Sequence, residues 1–263
     1  MVQQRDRSVH PPFDCLFCRT TTGSFNRIEH PIPESLGNDD LLLQKGFVCD
    51  GCNQYFGSKI EQRVLSSPPF NIERMAQAIP TKKGRFAFYE EKDLVLLSTG
   101  SANALYVVSP GDHKKTWDKI SRGLIIPRVP LSYDNLLVRF FLKMGVELLL
   151  TVEGGFPYSD SFNAARRCAR YGDGASDWDF AWGIYPNRRD LHVSSRVDEY
   201  GRLDTHQVYQ WELGTMAGGD IILCFVFVQC VFACNLSRPP MLEYILGFNC
   251  RNSFPLYSRW NRR

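Results

Sequence analysis

Seven residues between positions 15 and 53 hold the chemical potential of this chain: four cysteines, a glutamate–histidine pair and an asparagine. The cysteines come as Cys15-Leu16-Phe17-Cys18 and Cys49-Asp50-Gly51-Cys52. Two residues between thiolates let one tight turn aim both at a single ion, and two such pairs complete a closed tetrahedral zinc site. A four-thiolate site keeps no open coordination position, so its Zn²⁺ is expected to be structural. It could contribute roughly 10 kcal/mol or more of folding free energy to a segment too short for a core of its own. The chemistry is then expected in what the zinc positions. Glu29-His30 lies inside the bracketed loop, and Asn53 follows the last cysteine directly.

The order Cys-x-x-Cys, then Glu29-His30-x-x-Pro33-x-x-Leu36-Gly37, then Cys-x-x-Cys-Asn53 before a helix resembles the HNH (ββα-metal) nucleases. The closest pattern is the four-cysteine subgroup with an EHxxPxxLG signature. The likeness covers the zinc loop and the helix after it, up to residue 65. It implies that Glu29 ligates a divalent ion, that His30 is the general base, and that Asn53 at the helix start completes the ion site. Two departures stand out: Glu29 stands where aspartate is commoner, and Asn38 is only a loose stand-in for the mid-motif asparagine. The implied reaction is hydrolysis of phosphodiester bonds, most simply in double-stranded DNA. One histidine to deprotonate water and one Lewis acid to relieve charge on the leaving oxygen meet its two needs. With carboxylate and amide oxygens as ligands, Mg²⁺ or Mn²⁺ is favoured for that second site. A rival reading is a zinc-stabilised nucleic-acid-binding or protein-interaction module that does not cleave; such a module would need only the cysteines.

The chain has 263 residues, 44% hydrophobic and 22% charged, the balance of an ordinary globular protein. A net charge of +3 does not announce a nucleic-acid binder by itself. Basic residues cluster locally instead: Lys59 and Arg63 on the helix after the zinc loop, Arg166, Arg167 and Arg170 on a later one, and Arg259, Arg262 and Arg263 at the end. These are the candidate phosphate contacts. The remaining cysteines, Cys168, Cys224, Cys230, Cys234 and Cys250, sit in apolar surroundings and read as buried thiols. Reduced cysteines and the lack of a signal peptide point to a cytoplasmic protein. No run reaches the length of a membrane span; the apolar stretch from Ile221 to Cys234 suits a buried strand or hairpin.

The elements that must position the site follow from pattern. Phe25 to Ile32 reads as a strand delivering Glu29 and His30 to opposite faces. Phe56, Ile60 and Val64 mark the apolar row of the following helix, with Asn53 as its expected N-cap. Glu61, two turns past Asn53 and ~12 Å along the axis, is too far to share its ion and reads as structural. Ser66-Ser67-Pro68-Pro69 reads as a boundary. The fold expected is α+β: a zinc-stabilised ββα-metal module over residues 1–68, then a mixed domain over 69–263 rich in antiparallel strands. In that second part, strands are expected near 86–89, 94–98, 105–108, 206–213, 221–233 and 242–248, with a polar basic loop over 109–123. One helix is expected from Asp134 to Gly154-Gly155, with Lys143 snorkelling from its apolar face, and another near 160–171. This part could read sequence, dimerise as a homodimer or respond to a ligand; the sequence leaves these open.

Overall fold

The computed structural model describes residues 14–81, 83–91, 94–102, 104–109, 111–121, 132–153, 156–178, 180–184, 196–197, 203–204, 208–216, 218–228, 230–239 and 257–258. After the zinc loop and a 3-10 turn (Glu34–Leu36), α1 (Asp50–Tyr55) runs without a break through a π-helical stretch (Phe56–Glu61) into α2 (Gln62–Leu65). α3 (Phe70–Ala76) follows. β1 (Phe88–Glu91), β2 (Leu94–Ser98) and β3 (Leu105–Val108) form a small antiparallel sheet in that order. The helices α4 (His113–Ser121), α5 (Ser132–Glu153) and α6 (Asn163–Tyr171) come next. The rest is β-rich: β4 (Phe180–Ile184), β5 (Arg196–Val197), β6 (Leu203–Asp204), β7 (Tyr209–Thr215), β8 (Ile221–Phe227), β9 (Cys230–Asn235) and β10 (Tyr257–Ser258). Five of these make an antiparallel sheet in the order β10-β4-β9-β8-β7, and β5 pairs with β6. The chain is thus α+β, as its patterning predicts.

The core is built around α5. From Leu136 to Leu150 every residue is buried except the half-buried Arg139, the signature of a helix surrounded on all sides. The zinc segment and α2 pack on it, as do α6 and the central strand β9. Alternation along β8 and β9 turns Leu223, Phe225, Phe227, Cys230, Phe232 and Cys234 into the main core, while Ile222 and Ala233 enter a smaller cluster on the other face. Phe70 of α3 stacks on Phe232 at 5.2 Å, and Phe141 of α5 meets the same ring at 4.8 Å. One continuous buried cluster therefore runs from Cys15 across the Ser66–Pro69 stretch to Leu236.

Several local expectations are corrected. The strand over 25–32 is reduced to a single antiparallel bridge, Glu29 with Leu43, because Pro31 and Pro33 have no N–H to extend a ladder. The N-cap of α1 is Cys49, whose Sγ accepts from Cys52 N; Asn53 sits inside the helix. The basic stretch over 109–123 contains α4, whose first N–H groups at Lys114 and Lys115 are capped by Asp112 Oδ1. The run 221–233 is a hairpin, β8 and β9, turning where Val228 takes a φ of 51°. β4 is an addition, and the strand expected at 242–248 lies outside the described residues. Cys168, Cys224, Cys230 and Cys234 are buried free thiols.

Gly37 closes the signature against this core. Its φ is 85°, and a Cβ there would lie 2.7 Å from Val208 Cγ2. Gly219 has nearly the same φ, 84°, with nothing within 4 Å. Gly219→Ala should lose only the left-handed penalty of about 1–2 kcal/mol. Gly37→Ala should lose that and the contact between the loop and the β-rich half; equal urea midpoints for the two variants would contradict this packing.

Candidate active site and zinc centre

The four Sγ atoms of Cys15, Cys18, Cys49 and Cys52 all lie within 4.8 Å of one another. Cys18 and Cys49 are 3.7 Å apart, close to the ~3.8 Å edge of a tetrahedron with ~2.3 Å zinc–sulfur bonds. Local backbone donors already face these sulfurs: Cys49 N donates to Cys15 Sγ and Cys52 N to Cys49 Sγ, both at 3.4 Å. Crowding thiols without a cation splits their proton affinities. The Cys52 thiol draws Cys15 down to about 5, while burial pushes Cys49 up to about 11. A Zn²⁺ ion relieves this crowding by holding all four as thiolates, so the donor set fits the metal. Arg170 adds an outer contact, donating from Nε to Cys52 Sγ at 3.2 Å with its guanidinium 3.9 Å from the centre of the Tyr55 ring.

Glu29 points inward. Its Oε1 accepts from Lys143 Nζ at 2.7 Å, and the same ammonium donates to the carbonyl of His30 at 2.9 Å. Glu61 and Glu147 complete the surroundings at 2.9 and 3.0 Å. Lys143 is fully buried, so its expected snorkelling to the surface is corrected: its charge is withdrawn from the surface and three carboxylates pair with it instead. An ammonium has three N–H donors, and here four acceptors crowd it. Burial raises the proton affinity of both Glu147 and Glu29, and the surrounding carboxylates raise Lys143 well above its ordinary value despite its burial. Glu29 Oε2 is buried without a hydrogen-bond partner.

His30 faces the other way, as the alternation of neighbouring residues requires. Its Nε2 lies 2.9 Å from Glu34 Oε1, four residues on, brought there by the 3-10 turn after Pro33. Asn53 reaches the same strand from α1, donating Nδ2 to Ile28 O at 3.1 Å; its amide oxygen is the atom that could ligate. Asn38 is buried and pins the loop between them. Its Nδ2 donates to Ile32 O and Leu41 O, and its Oδ1 accepts from Leu41 N and from the Tyr209 hydroxyl. Glu34, Lys143 and Glu147 were not legible as site residues; only the i, i+4 spacings Glu34–His30 and Lys143–Glu147 hinted at them.

The basic candidates divide. Lys59 and Arg63 are exposed on the helix that carries Asn53. Arg167 is exposed and pairs with Asp173. Arg166 is buried, its guanidinium donating to Pro157 O and Asn163 Oδ1, and Arg170 serves Cys52 and Tyr55. Two of the three helix arginines thus have interior partners. Arg259, Arg262 and Arg263 lie outside the described residues.

With four sulfurs converged and an acid–histidine pair held beside a helix asparagine, the comparison with known families has a clear outcome. Residues 15–68 match the HNH endonuclease family. The HNH segment thus begins at the first zinc cysteine and ends at the Ser66–Pro69 stretch. Neither the curated proteins nor the solved structures contain a match to this chain. No helix among the described residues is long and apolar enough to cross a membrane.

Three tests address these centres. Purified protein should carry one zinc per chain by elemental analysis, and Cys52→Ser should lose it with a lower melting temperature; a folded wild-type protein without zinc would contradict the site. Lys143→Met strands the buried carboxylates of Glu29 and Glu147 and the half-buried one of Glu61, and should destabilise by about 3–5 kcal/mol. The pH dependence has a definite sign. A carboxyl whose folded pKa is raised, such as Glu147, contributes stability that is full below its unfolded value and lost as pH rises through its folded one. Glu147→Gln removes that loss, so its stability relative to wild type should improve from pH 5 to pH 9 in urea titrations. A difference, variant minus wild type, that stays constant or falls over this range would mean that Glu147 is ionised throughout.

Proposed function

We propose that this protein is a metal-dependent endonuclease that hydrolyses phosphodiester bonds in double-stranded DNA, with His30 as general base and Glu29 and Asn53 as ligands of the catalytic ion. The observation that carries the reading is the divided acid–histidine pair: Glu29 is buried with Oε2 unpartnered, and His30 is turned outward against Glu34. The Glu34 carboxylate fixes the ring and favours the tautomer with hydrogen on Nε2, which leaves the lone pair on Nδ1, a buried nitrogen that the attacking water would have to reach. It also stabilises the imidazolium once formed. Lys143 holds the pair from behind through both the Glu29 side chain and the His30 carbonyl. A Mg²⁺ or Mn²⁺ ion bound by Glu29 Oε2 and the Asn53 amide oxygen would supply Lewis-acid relief of the charge on the leaving oxygen. Of the candidate phosphate contacts among the described residues, Lys59, Arg63 and Arg167 are exposed and available to position DNA phosphates.

A second reading has its own observation. An ammonium 2.7 Å from Glu29 Oε1 already balances the charge that a divalent ion would use. On that ground the HNH segment could be a zinc-stabilised binding module that does not cleave.

Plasmid nicking with added Mg²⁺ or Mn²⁺ separates the two. His30→Ala should abolish cleavage while keeping the fold and DNA affinity, because in this reading the ring acts on the attacking water and not on the ion. Glu29→Ala should weaken metal dependence, with partial rescue by excess Mn²⁺. Lys59→Ala and Arg63→Ala should each flatten the slope of log affinity against log salt by about 0.9. A folded wild-type protein that binds DNA but never nicks it with either ion would favour the binding module.

A further inference from the structure

Away from the zinc and the acid–histidine pair, a cavity of about 620 Å³ opens between the α2–α3 corner and β1. Arg74, on α3, is 5% exposed and lines it. A guanidinium has five N–H donors and cannot shed its charge, so burial demands acceptors. Among the described residues, the one acceptor of Arg74 is the carbonyl of Leu65, at a long 3.4 Å from Nη1. Its Nε and Nη2 are buried without partners. Among the described residues no carboxylate pairs with it, and burial alone pulls its proton affinity below the arginine norm. This is the opposite of Lys143, which is equally buried but surrounded by three carboxylates.

The remaining lining says what the missing acceptor would be. Lys83 and Arg85 flank the cavity on a turn closed by Thr81 N to Arg85 O at 2.7 Å and Gly84 N to Thr81 O at 2.8 Å. Against these three cations the lining holds one carboxylate, Glu90. Phe88 of the edge strand β1 and Phe86, bridged to Pro80 just before it, line the same space and are 62% and 41% exposed. Asn71 Oδ1, one helical turn before Arg74, is a buried acceptor without a partner. A bare anion would leave the rings and this acceptor unused. A phosphate joined to a flat heterocycle with N–H or O–H donors uses all of them.

We propose that the cavity between α3 and β1 is a nucleotide-binding site in which Arg74 grips the phosphate. The planar fork of Arg74 takes two phosphate oxygens, and Lys83 and Arg85 add charge at the mouth. Phe86 and Phe88 stack the base, and Asn71 Oδ1 accepts from a ring or sugar donor. The nucleotide could be free or part of a single strand; the chemistry recognised is the same. The site does not depend on the nuclease reading, since no residue of the acid–histidine pair lines it.

The test is binding by the full chain without Mg²⁺ or Mn²⁺, so that cleavage plays no part. Adenosine monophosphate, inorganic phosphate and a labelled single-stranded oligonucleotide are titrated by thermal shift and fluorescence anisotropy. Adenosine monophosphate should raise the melting temperature by several degrees, more than phosphate at the same concentration. Competition between the monophosphate and the oligonucleotide assigns the site to a strand; binding of the monophosphate alone assigns it to a free nucleotide. Arg74→Met should weaken binding by about 10- to 100-fold. Without ligand it should melt no lower than wild type, because an unpartnered buried charge has been removed. The exposed pair Lys83→Ala and Arg85→Ala should weaken binding without altering the ligand-free melting temperature, and keeps the test valid if Arg74→Met does not fold. No response of wild type to any of the three probes overturns the proposal. So does undiminished binding by either variant, or an Arg74→Met protein that folds but melts well below wild type.

Discussion

The buried ammonium of Lys143 is the constraint on which the architecture turns. A charge withdrawn from water must be paired, and its partners come from three segments: Glu29 from the zinc loop, Glu61 from the helix after it, and Glu147 one turn along its own helix. Each pairing forces those backbones together at α5, the helix that the rest of the core surrounds. The HNH segment is therefore not a bead on a string. Its acid–histidine pair is oriented by a residue more than a hundred positions away, which grips the Glu29 carboxylate and the His30 carbonyl together.

The zinc centre is tied to the same body from the other side. Arg170 of α6 reaches Cys52 Sγ, and Arg139 of α5 donates to the Tyr55 hydroxyl and to the carbonyls of Ala169 and Arg170. Asn38 and Gly37 join the signature loop to Tyr209 and Val208. Loop, helix and sheet are thus coupled through specific polar contacts laid over an apolar core. Such contacts fix position, where apolar packing alone tolerates sliding.

What was legible in the sequence was local. Chelation by Cys15, Cys18, Cys49 and Cys52 depends on short spacings, and the row Phe56, Ile60, Val64 depends on helical period; both are carried by neighbours along the chain. The strands β1 to β3 and the helices α5 and α6 were legible for the same reason. The Lys143 cluster was not, because a lone lysine on an apolar face reads as a stem that snorkels, and Glu29 and Glu61 give no sign of where they will meet it. Arg166, Arg167 and Arg170 have identical chemistry on paper; only tertiary packing buries the first, leaves the second exposed and turns the third onto a sulfur. The shortened strand at Glu29 reflects two prolines whose missing donors matter only once a partner strand is known. Asn53 lost its capping role to Cys49, whose sulfur was already in place as a metal ligand.

The proposed nuclease function requires that Lys143 orient Glu29 through Oε1 and leave Oε2 for a divalent ion. Anomalous diffraction from crystals soaked in Mn²⁺ and recorded at the manganese and zinc edges locates both ions directly. The account predicts zinc among the four cysteine sulfurs and manganese between Glu29 Oε2 and the Asn53 amide oxygen, with Lys143 still on Oε1. Zinc at the cysteines with no manganese at Glu29, in protein whose Lys143–Glu29 contact is intact, would contradict it.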